Sequence, residues 1–596
     1  MTELYLQKDG GMMTRVYFDG SGTGFKLTRE NPYFTQAESY TLDVILPMDI
    51  IENRSFFQNL QRMERTKQPE TMKSLLVVSG RPVISGTARV TQVTDLAVKV
   101  QLSGGSSDAN LKGRKLYIDE MDMGQCTASA IQPEGYDNYN DAGVRFVFMQ
   151  AYDETAGEVV NRKVATMTAT KDGTTRTPLT SYMEGDAPQP ALLDVLARVI
   201  EAMGYTPGEM FPWQEPWKDL YVASAKKTRQ LAHALPHWTA KEFIDEVCSF
   251  FNCTIKVDHV AQTISLLSNV SFYGSPQTTV IEPVDEYTAD VQDNEEGARS
   301  LADENIVYGM SSSPAHDYDC LTEALRDNAP RLSYDSMNAL QEAWSTLGTA
   351  RRKYILECPA GKYVDWKDSE ESESRLVRVD MFAPLKRDGT SDRELKIVPV
   401  AITEDVCGTY IENVNGNVGI YKIAFRSLSL ENPTGHELGT ADDGTMADIQ
   451  DLITGEEETE SQAEKEDRLQ LFFLEDVDQP AVATLDYTDE DPEYRTFQAR
   501  MPMTDWQYKV HGSGHRQWSL ALSNSNATFH LGQLHQNGFS FNMRARHTFR
   551  FIADAMPDPR NVFIIRGKHY GCEKIECGVD TEGFSRIMTG YFYEML

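Results

Sequence analysis

His233 and His237 stand four residues apart, a spacing that sets two imidazoles on one helix face and makes half of a zinc site. The motif that puts such a pair to hydrolytic use has a glutamate directly after the first histidine. This chain has Ala234 there, and Pro236 falls between the two rings, so no zinc site is expected. His511 and His515 flank Gly512-Ser513-Gly514, with His530 and His535 beyond; this reads as a flexible loop with exposed histidines, metal capture between loops being the alternative. Asp476-Val477-Asp478 and the group Asp486, Asp489, Glu490 and Asp491 offer oxygen ligands for calcium. They lack the spacing and the fixed glycine of an EF-hand loop, and solvated loops are expected. Gly20-Ser21-Gly22-Thr23-Gly24 has the glycines of a phosphate cradle without the Lys-Ser/Thr that completes one, and Phe25-Lys26-Leu27 after it looks like a strand, so a turn is the reading. There is no G-x-S-x-G, and carboxylates are too numerous to single out a glycosidase pair. The expectation is a non-enzymatic chain with no catalytic residue, cofactor or metal.

Tyr136, Tyr139, Trp213, Trp217, Trp506 and Trp518 have the chemistry to stack on sugars, although aromatics in β domains mostly fill cores. Eight cysteines among 596 residues are too few for a disulfide scaffold. Cys248 and Cys253, like Cys572 and Cys577, are five apart, which is no metal-knuckle spacing, and on a strand an odd spacing sends two side chains to opposite faces. Reduced, buried thiols are expected. Acidic residues outnumber basic ones 90 to 57, for a formal charge of −33. Phosphate backbones are bound through Lys and Arg, so the chain as a whole is a poor DNA binder. Two readings of the acidity stay open: surface for solubility, or an acidic wall past which nucleic acid slides without sticking. Met1-Thr2-Glu3-Leu4 lacks a basic region followed by an apolar core, so no secretory signal is expected, and no run approaches the ~20 apolar residues of a membrane span.

The elements that must hold these residues are mostly strands. From Tyr40 to Asn110 the pattern is strand, breaker at Pro47, short polar helix, then closely spaced strands: Leu75-Leu76-Val77-Val78, the β-branched run Val83 to Val93, and Val98, Val100 and Leu102 alternating with Lys99 and Gln101. Val144 to Phe148 reads as a strand, and Thr166 to Thr180, turning at Lys171-Asp172-Gly173, as a hairpin or exposed loop. Leu192 to Met203 has helical spacing and stops at Gly204. A second helix over Thr239 to Phe251 opens with a Thr239/Glu242 capping box, and a hairpin follows, Cys253 to Val257 and Thr263 to Leu267. A further helix is expected over 321–354, broken early by Pro330, with Leu340, Trp344 and Leu347 on one face. Strands return from Arg375 to Leu428. Between Asp442 and Asp467 eleven carboxylates face a lone Lys465, the composition of a solvated linker.

Two stretches carry a resemblance. Leu46-Pro47, Asn53, Phe56, Phe57, Arg62, Ser85-Gly86-Thr87-Ala88, Val90-Thr91, Val93-Thr94, Val98 to Leu102, Gly104-Gly105-Ser106 and Asn110 resemble the N-terminal domain of a tail hub or tail-tip (baseplate) protein family of tailed phages and prophages of Bacteroidetes. Phe563 to Lys568, Tyr570, Cys572 to Glu576 and Gly590-Tyr591-Phe592-Tyr593 are similar to that family's C-terminal hairpin. The helix-helix-hairpin over 192–267 resembles a module of phage baseplate hubs.

The residues and the resemblance together imply an α+β, mostly antiparallel β, multi-domain chain. It divides into an N-terminal tube-joining β domain (1–110), a β-rich extension (111–188), an α+β module (189–270), a mixed β domain (271–437), an acidic linker (438–468) and a C-terminal β domain (469–596). The resemblance implies a structural virion protein, assembled in the host cytoplasm. It would be a homotrimeric hub that joins the tail tube to distal tail proteins and to fibre or spike proteins around a channel where DNA is a passing occupant. A peripheral receptor- or carbohydrate-binding tail protein, a hexameric distal tail ring protein and an envelope hydrolase are the alternatives.

Overall fold

Alternation at period two is what the first hundred residues turn into structure. In the computed structural model, strand β6 (Thr71–Val78) buries Met72, Ser74, Leu76 and Val78 and turns Thr71 and Lys73 to solvent. The structure describes Met1 to Leu596 apart from short gaps and the longer stretches 127–137, 170–176, 270–276, 292–304, 310–329, 367–374, 431–467 and 482–494. The acidic linker, the start of the helix expected over 321–354 and the cluster Asp486 to Asp491 therefore lie outside the described residues.

The described chain is mostly antiparallel β-sheet with few helices. Its first eight strands are β1 (Thr2–Gln7), β2 (Thr14–Val16), β3 (Phe25–Glu30), β4 (Ser39–Leu42), β5 (Val44–Pro47), β6, β7 (Arg81–Val93) and β8 (Ala97–Gly104), with the short helix α1 (Ile51–Phe56) after Pro47 as expected. Six later strands enter the same sheet: β9 (Thr278–Ile281), β10 (Thr288–Val291), β11 (Phe541–Ile552), β12 (Val562–Ile565), β13 (Lys568–Val579) and β14 (Phe584–Met595). The order is β2-β1-β6-β7-β8-β4-β3-β13-β14-β11-β10, with β5 beside β8 and β12 lying between β13 and β9. The two ends of the sequence meet where β3 pairs antiparallel with β13, from Phe25 opposite Val579 to Glu30 opposite Lys574. One core runs under both, with Leu27, Leu76, Val98 and Leu102 from the first part and Phe551, Phe563, Ile575 and Phe592 from the last.

Two residues lock that junction. Gly24 has φ +69°, and a Cβ there would stand 2.0 Å from the Val579 carbonyl oxygen, so only glycine lets β3 start against β13. Asn31 is fully buried. Its Nδ2 donates to the carbonyls of Cys572 (3.0 Å) and Pro559 (3.2 Å), its Oδ1 accepts from Tyr33 N–H (3.1 Å), and its own N–H donates to Glu573 O (2.8 Å).

The middle of the chain builds a second body. Helix α2 (Leu192–Ala202) buries Leu192, Leu193, Val195, Leu196, Val199 and Ile200, and Gly204 at φ +82° follows it. Helix α3 (Ala240–Phe251) begins with the complete Thr239/Glu242 capping box and ends at Asn252 in the left-handed conformation. The expected hairpin follows, Cys253–Asp258 against Thr263–Ser268, with Thr206–Met210 parallel to its second strand. The hairpin at 163–182 is also present, Lys163–Ala169 against Thr177–Tyr182.

Strand pairing links stretches that lie far apart in the sequence. The described strands of 469–596 pair and pack in two places. Leu471, Phe472 and Phe473 are fully buried, because Leu471 and Phe473 enter the core of α2 and α3 while Phe472 and Leu474 enter a second core with Tyr221, Val400 and Leu428. A strand apolar on both faces needs cover on both, and here the middle of the chain supplies it. Of the described strands in 469–596, those within 541–596 join the N-terminal strands. The stretch 271–437 is likewise shared, since β9 and β10 join the large sheet and Ile397–Pro399 pairs with Leu469–Ala481. The helix expected over 321–354 is shorter, Met337–Leu347. A strand at Arg331–Ser333 precedes it and Gly348 at φ +54° stops it, with Leu340, Trp344 and Leu347 facing a small satellite core.

Asn31→Ala removes three buried side-chain hydrogen bonds and is expected to destabilise the junction by about 2–4 kcal/mol. Hydrogen exchange followed by mass spectrometry should show peptides of β3 and β13 opening together while α3 keeps its protection. Faster exchange in β3 alone would show that the two ends are not one cooperative unit.

Candidate functional site

The residues with the most chemistry on paper are held in separate, structural settings. His237 Nδ1 lies 2.9 Å from Asp119 Oδ2, and its ring stacks on Tyr117 at 4.3 Å. That contact sits where the backbone of 116–118 bonds to 238–240, Ile118 N–H to Trp238 O and Ala240 N–H to Leu116 O. His233 occupies the short 3-10 turn Leu231–Ala234 and lines a shallow cleft of about 260 Å³ with Glu120, Asp122 and Gln125. His535 is buried and bonds through Nε2 to the Phe250 carbonyl at 3.0 Å, pinning the end of α3. His530 is half-buried, and burial holds its imidazole below the usual histidine range. His515 lies on the strand Gly514–Ser519, and His511 falls outside the described residues. Asp476 and Asp478 lie in the ladder opposite Arg500 and Gln498. Among the described residues no three His, Cys, Asp or Glu side chains gather as a metal site. Of the glycine run 20–24 only Gly24 is described, as the entry to β3.

The aromatics sort the same way. Trp217 is buried edge-on to Trp518 at 5.5 Å and to Phe251 at 5.8 Å, and Trp518 stacks on Phe529 at 4.5 Å. Their faces are used inside the protein. Tyr139 is exposed, whereas the side chains of Tyr136, Trp213 and Trp506 fall outside the described residues. The cysteines correct one expectation. Cys572 and Cys577 are buried as expected, but both enter the same core instead of facing opposite sides of their strand. A β-bulge between Cys572 and Lys574 inserts one residue into β13 and resets the alternation. Burial pushes the Cys577 thiol up to about 11 and holds that of Cys572 well above the ordinary thiol range.

What the fold leaves open is the two ends of the large sheet. At one end β10 exposes all four of its residues and bonds only to β11 among the described strands. Arg546 to Asp290 (3.3 Å) and Arg550 to Asp285 (2.6 Å) fasten it, and Tyr287 lies against Phe549 at 5.5 Å. Around it Val280 (71 %), Val291 (72 %) and Ile552 (60 %) are exposed, with Val284, Tyr287 and Ile587 beside them. Val280, Ile281, Pro283 and Ile564 line a cleft of about 390 Å³. At the other end β2 is the outer strand, preceded by exposed Met12 (85 %) and Met13 and followed by exposed Tyr17. Open, apolar strand edges are surfaces that pair with other chains unless they are covered. The end at β10 was not legible in the sequence, where 278–291 reads as the interior of a mixed domain. The β-branched run Thr278 to Ile281, stopped by Pro283, was its one signal.

No family model matches the chain, and neither does any curated protein. Among solved structures it is similar to the 43 kDa tail protein of prophage MuSo2 from Shewanella oneidensis, at 8% identity and a TM-score of 0.32, covering 99% of this chain and 97% of that one. It is also similar to the tail protein from Neisseria meningitidis MC58, at 7% identity and a TM-score of 0.31, covering 100% of this chain and 96% of that one. At these TM-scores neither carries a fold or a function to this chain.

Because burial disfavours the thiolate, Cys572 and Cys577 should resist iodoacetamide at pH 8 in the native protein and react fully in denaturant. Peptide mass mapping checks this. Rapid native labelling of either would contradict the inward arrangement that the bulge creates.

Proposed function

We propose that this chain is a structural protein of a phage tail, and specifically a hub at the tail tip. In this reading several copies close into a ring that continues the tail tube, and the body built from 111–540 holds distal fibre or spike proteins. One observation carries it. The stretches with the tail-protein resemblance, 46–110 and 563–593, lie in one sheet, joined by way of β4 and the β3–β13 ladder, and among the described residues the two outer edges of that sheet remain open. A sheet with two different open ends suits head-to-tail association, which closes into a ring when the rotation per copy allows. Closure would cover Val280, Val291, Met12 and Met13, whose exposure otherwise invites uncontrolled pairing. The role is architectural: a passage that seals, senses attachment and opens for DNA, assembled in the host cytoplasm and carried in the virion. The carbohydrate-binding alternative draws no support from Trp217 and Trp518, whose faces are occupied within the core.

Native mass spectrometry of the purified chain should show three copies of the 67.1 kDa subunit. Val280→Asp with Val291→Asp, two changes at exposed positions, should lower the mass to a single copy without loss of secondary structure. Six copies would favour the distal tail ring protein, and a single copy of the unmodified chain at micromolar concentration would contradict the ring.

A further inference from the structure

The acidic excess is not spread over the molecule. Residues 1–110 carry 12 Lys and Arg against 12 Asp and Glu, and residues 541–596 carry 8 against 7. These two stretches build twelve of the sheet's fourteen strands. The remaining 111–540 carries 37 basic residues against 71 acidic ones, so the whole excess lies outside the terminal strands. An acidic wall is therefore the wrong picture for the large sheet.

The solvent face of β6, β7 and β8 goes further. Lys73 lies opposite Thr87, Arg89 opposite both Thr71 and Gln101, and Lys99 opposite Gln92 beside a bulge at Val90/Gln92. Lys73, Arg89 and Lys99 are thus successive diagonal neighbours across three strands, each step about 7–8 Å. Their neighbours Met72, Ala88 and Val100 are buried, so the alternation turns all three cations to the same, outward face. No carboxylate occupies this face of the three strands, and among the described residues none of the three cations has an ion-pair partner, although Lys8, Arg15, Lys26 and Lys568 of the same sheet all do. Around the diagonal stand Thr71, Thr87, Thr91, Gln92 and Gln101, all hydrogen-bonding and none apolar.

We propose that the diagonal Lys73-Arg89-Lys99 is a contact surface for a nucleic-acid phosphate backbone. Lasting protein contacts centre on apolar and aromatic side chains, and here these stand at one end only, where half-buried Leu75 follows Lys73 opposite Tyr5. Phosphodiester backbones are held by Lys and Arg together with hydroxyl and amide donors, which this strip has. The surface reads no sequence, and three cations within an acidic chain hold DNA weakly enough to let it move. This deepens the reading of the sheet as the wall of a DNA-conducting ring and rests on it, by naming the face that meets the passenger.

The test is binding of a fluorescent 30-base-pair duplex to the full-length chain at several salt concentrations. Three phosphate contacts predict a log–log salt slope of about −2.7, a loss of roughly 40-fold in affinity between 50 and 200 mM. K73Q/R89Q/K99Q should lower affinity at 50 mM at least tenfold and flatten the slope, whereas K256Q/K353Q/R586Q, a same-charge control elsewhere, should leave both unchanged. All six positions are at the surface, and thermal melting reports that each variant folds. No retention by the unmodified chain, or equal retention by K73Q/R89Q/K99Q, overturns the proposal. So does a variant whose oligomeric mass falls while DNA retention persists, because the face is then a protein contact. A ring that ignores DNA defeats this proposal alone; a single-copy mass defeats the ring and leaves the binding result readable.

Discussion

The structure depends on the antiparallel pairing of β3 with β13. Among the described strands that ladder is where the first hundred residues and the last fifty become one sheet, over a core to which both contribute. Gly24 grants the close approach and Asn31 satisfies three backbone groups at once, so the junction is specified by polar geometry as well as by apolar burial. Everything between 111 and 540 is, topologically, an insertion between two halves of one sheet. The inserted body has its own cores, and it reaches back to the sheet through β9 and β10.

How much of this was legible follows from how local each signal is. The capping box at Thr239, the stop at Gly204, the hairpin at 253–268 and the strand series through Val100 depend on residues within a few positions of one another, and each is found in the structure. The domain boundaries depend on which strands pair across hundreds of residues, and no periodicity reports that. Leu471 to Leu474 shows the difference. The apolar run marks a strand buried on both faces, but nothing in it says that the cover comes from α2 and α3 on one side and Tyr221 and Val400 on the other. The bulge at Cys572 is a smaller case, since one inserted residue reverses the inference from odd spacing.

The candidate site was legible only by subtraction. Several of the side chains that invited a catalytic or sugar-binding reading do structural work: His535 holds the end of α3, His237 braces Asp119 and Tyr117, and Trp217 fills a core, while His233 lines a shallow cleft. What remains is surface whose character is set by charge and by edges. The net charge of −33 concealed a near-neutral sheet beside a strongly acidic body, a contrast that appears only once the strands are assigned to their sheet. Open strand edges and terminal strands of balanced charge suit packing against copies of the same chain.

The account turns on whether the open ends of the large sheet meet between copies. Cryo-electron microscopy of the assembled protein tests this most directly. The account predicts a closed ring of three copies, with the β10 end of one sheet against the β2 end of the next and a passage along the axis. A monomer, an open filament, or a ring whose contacts leave both edges in solvent would contradict it.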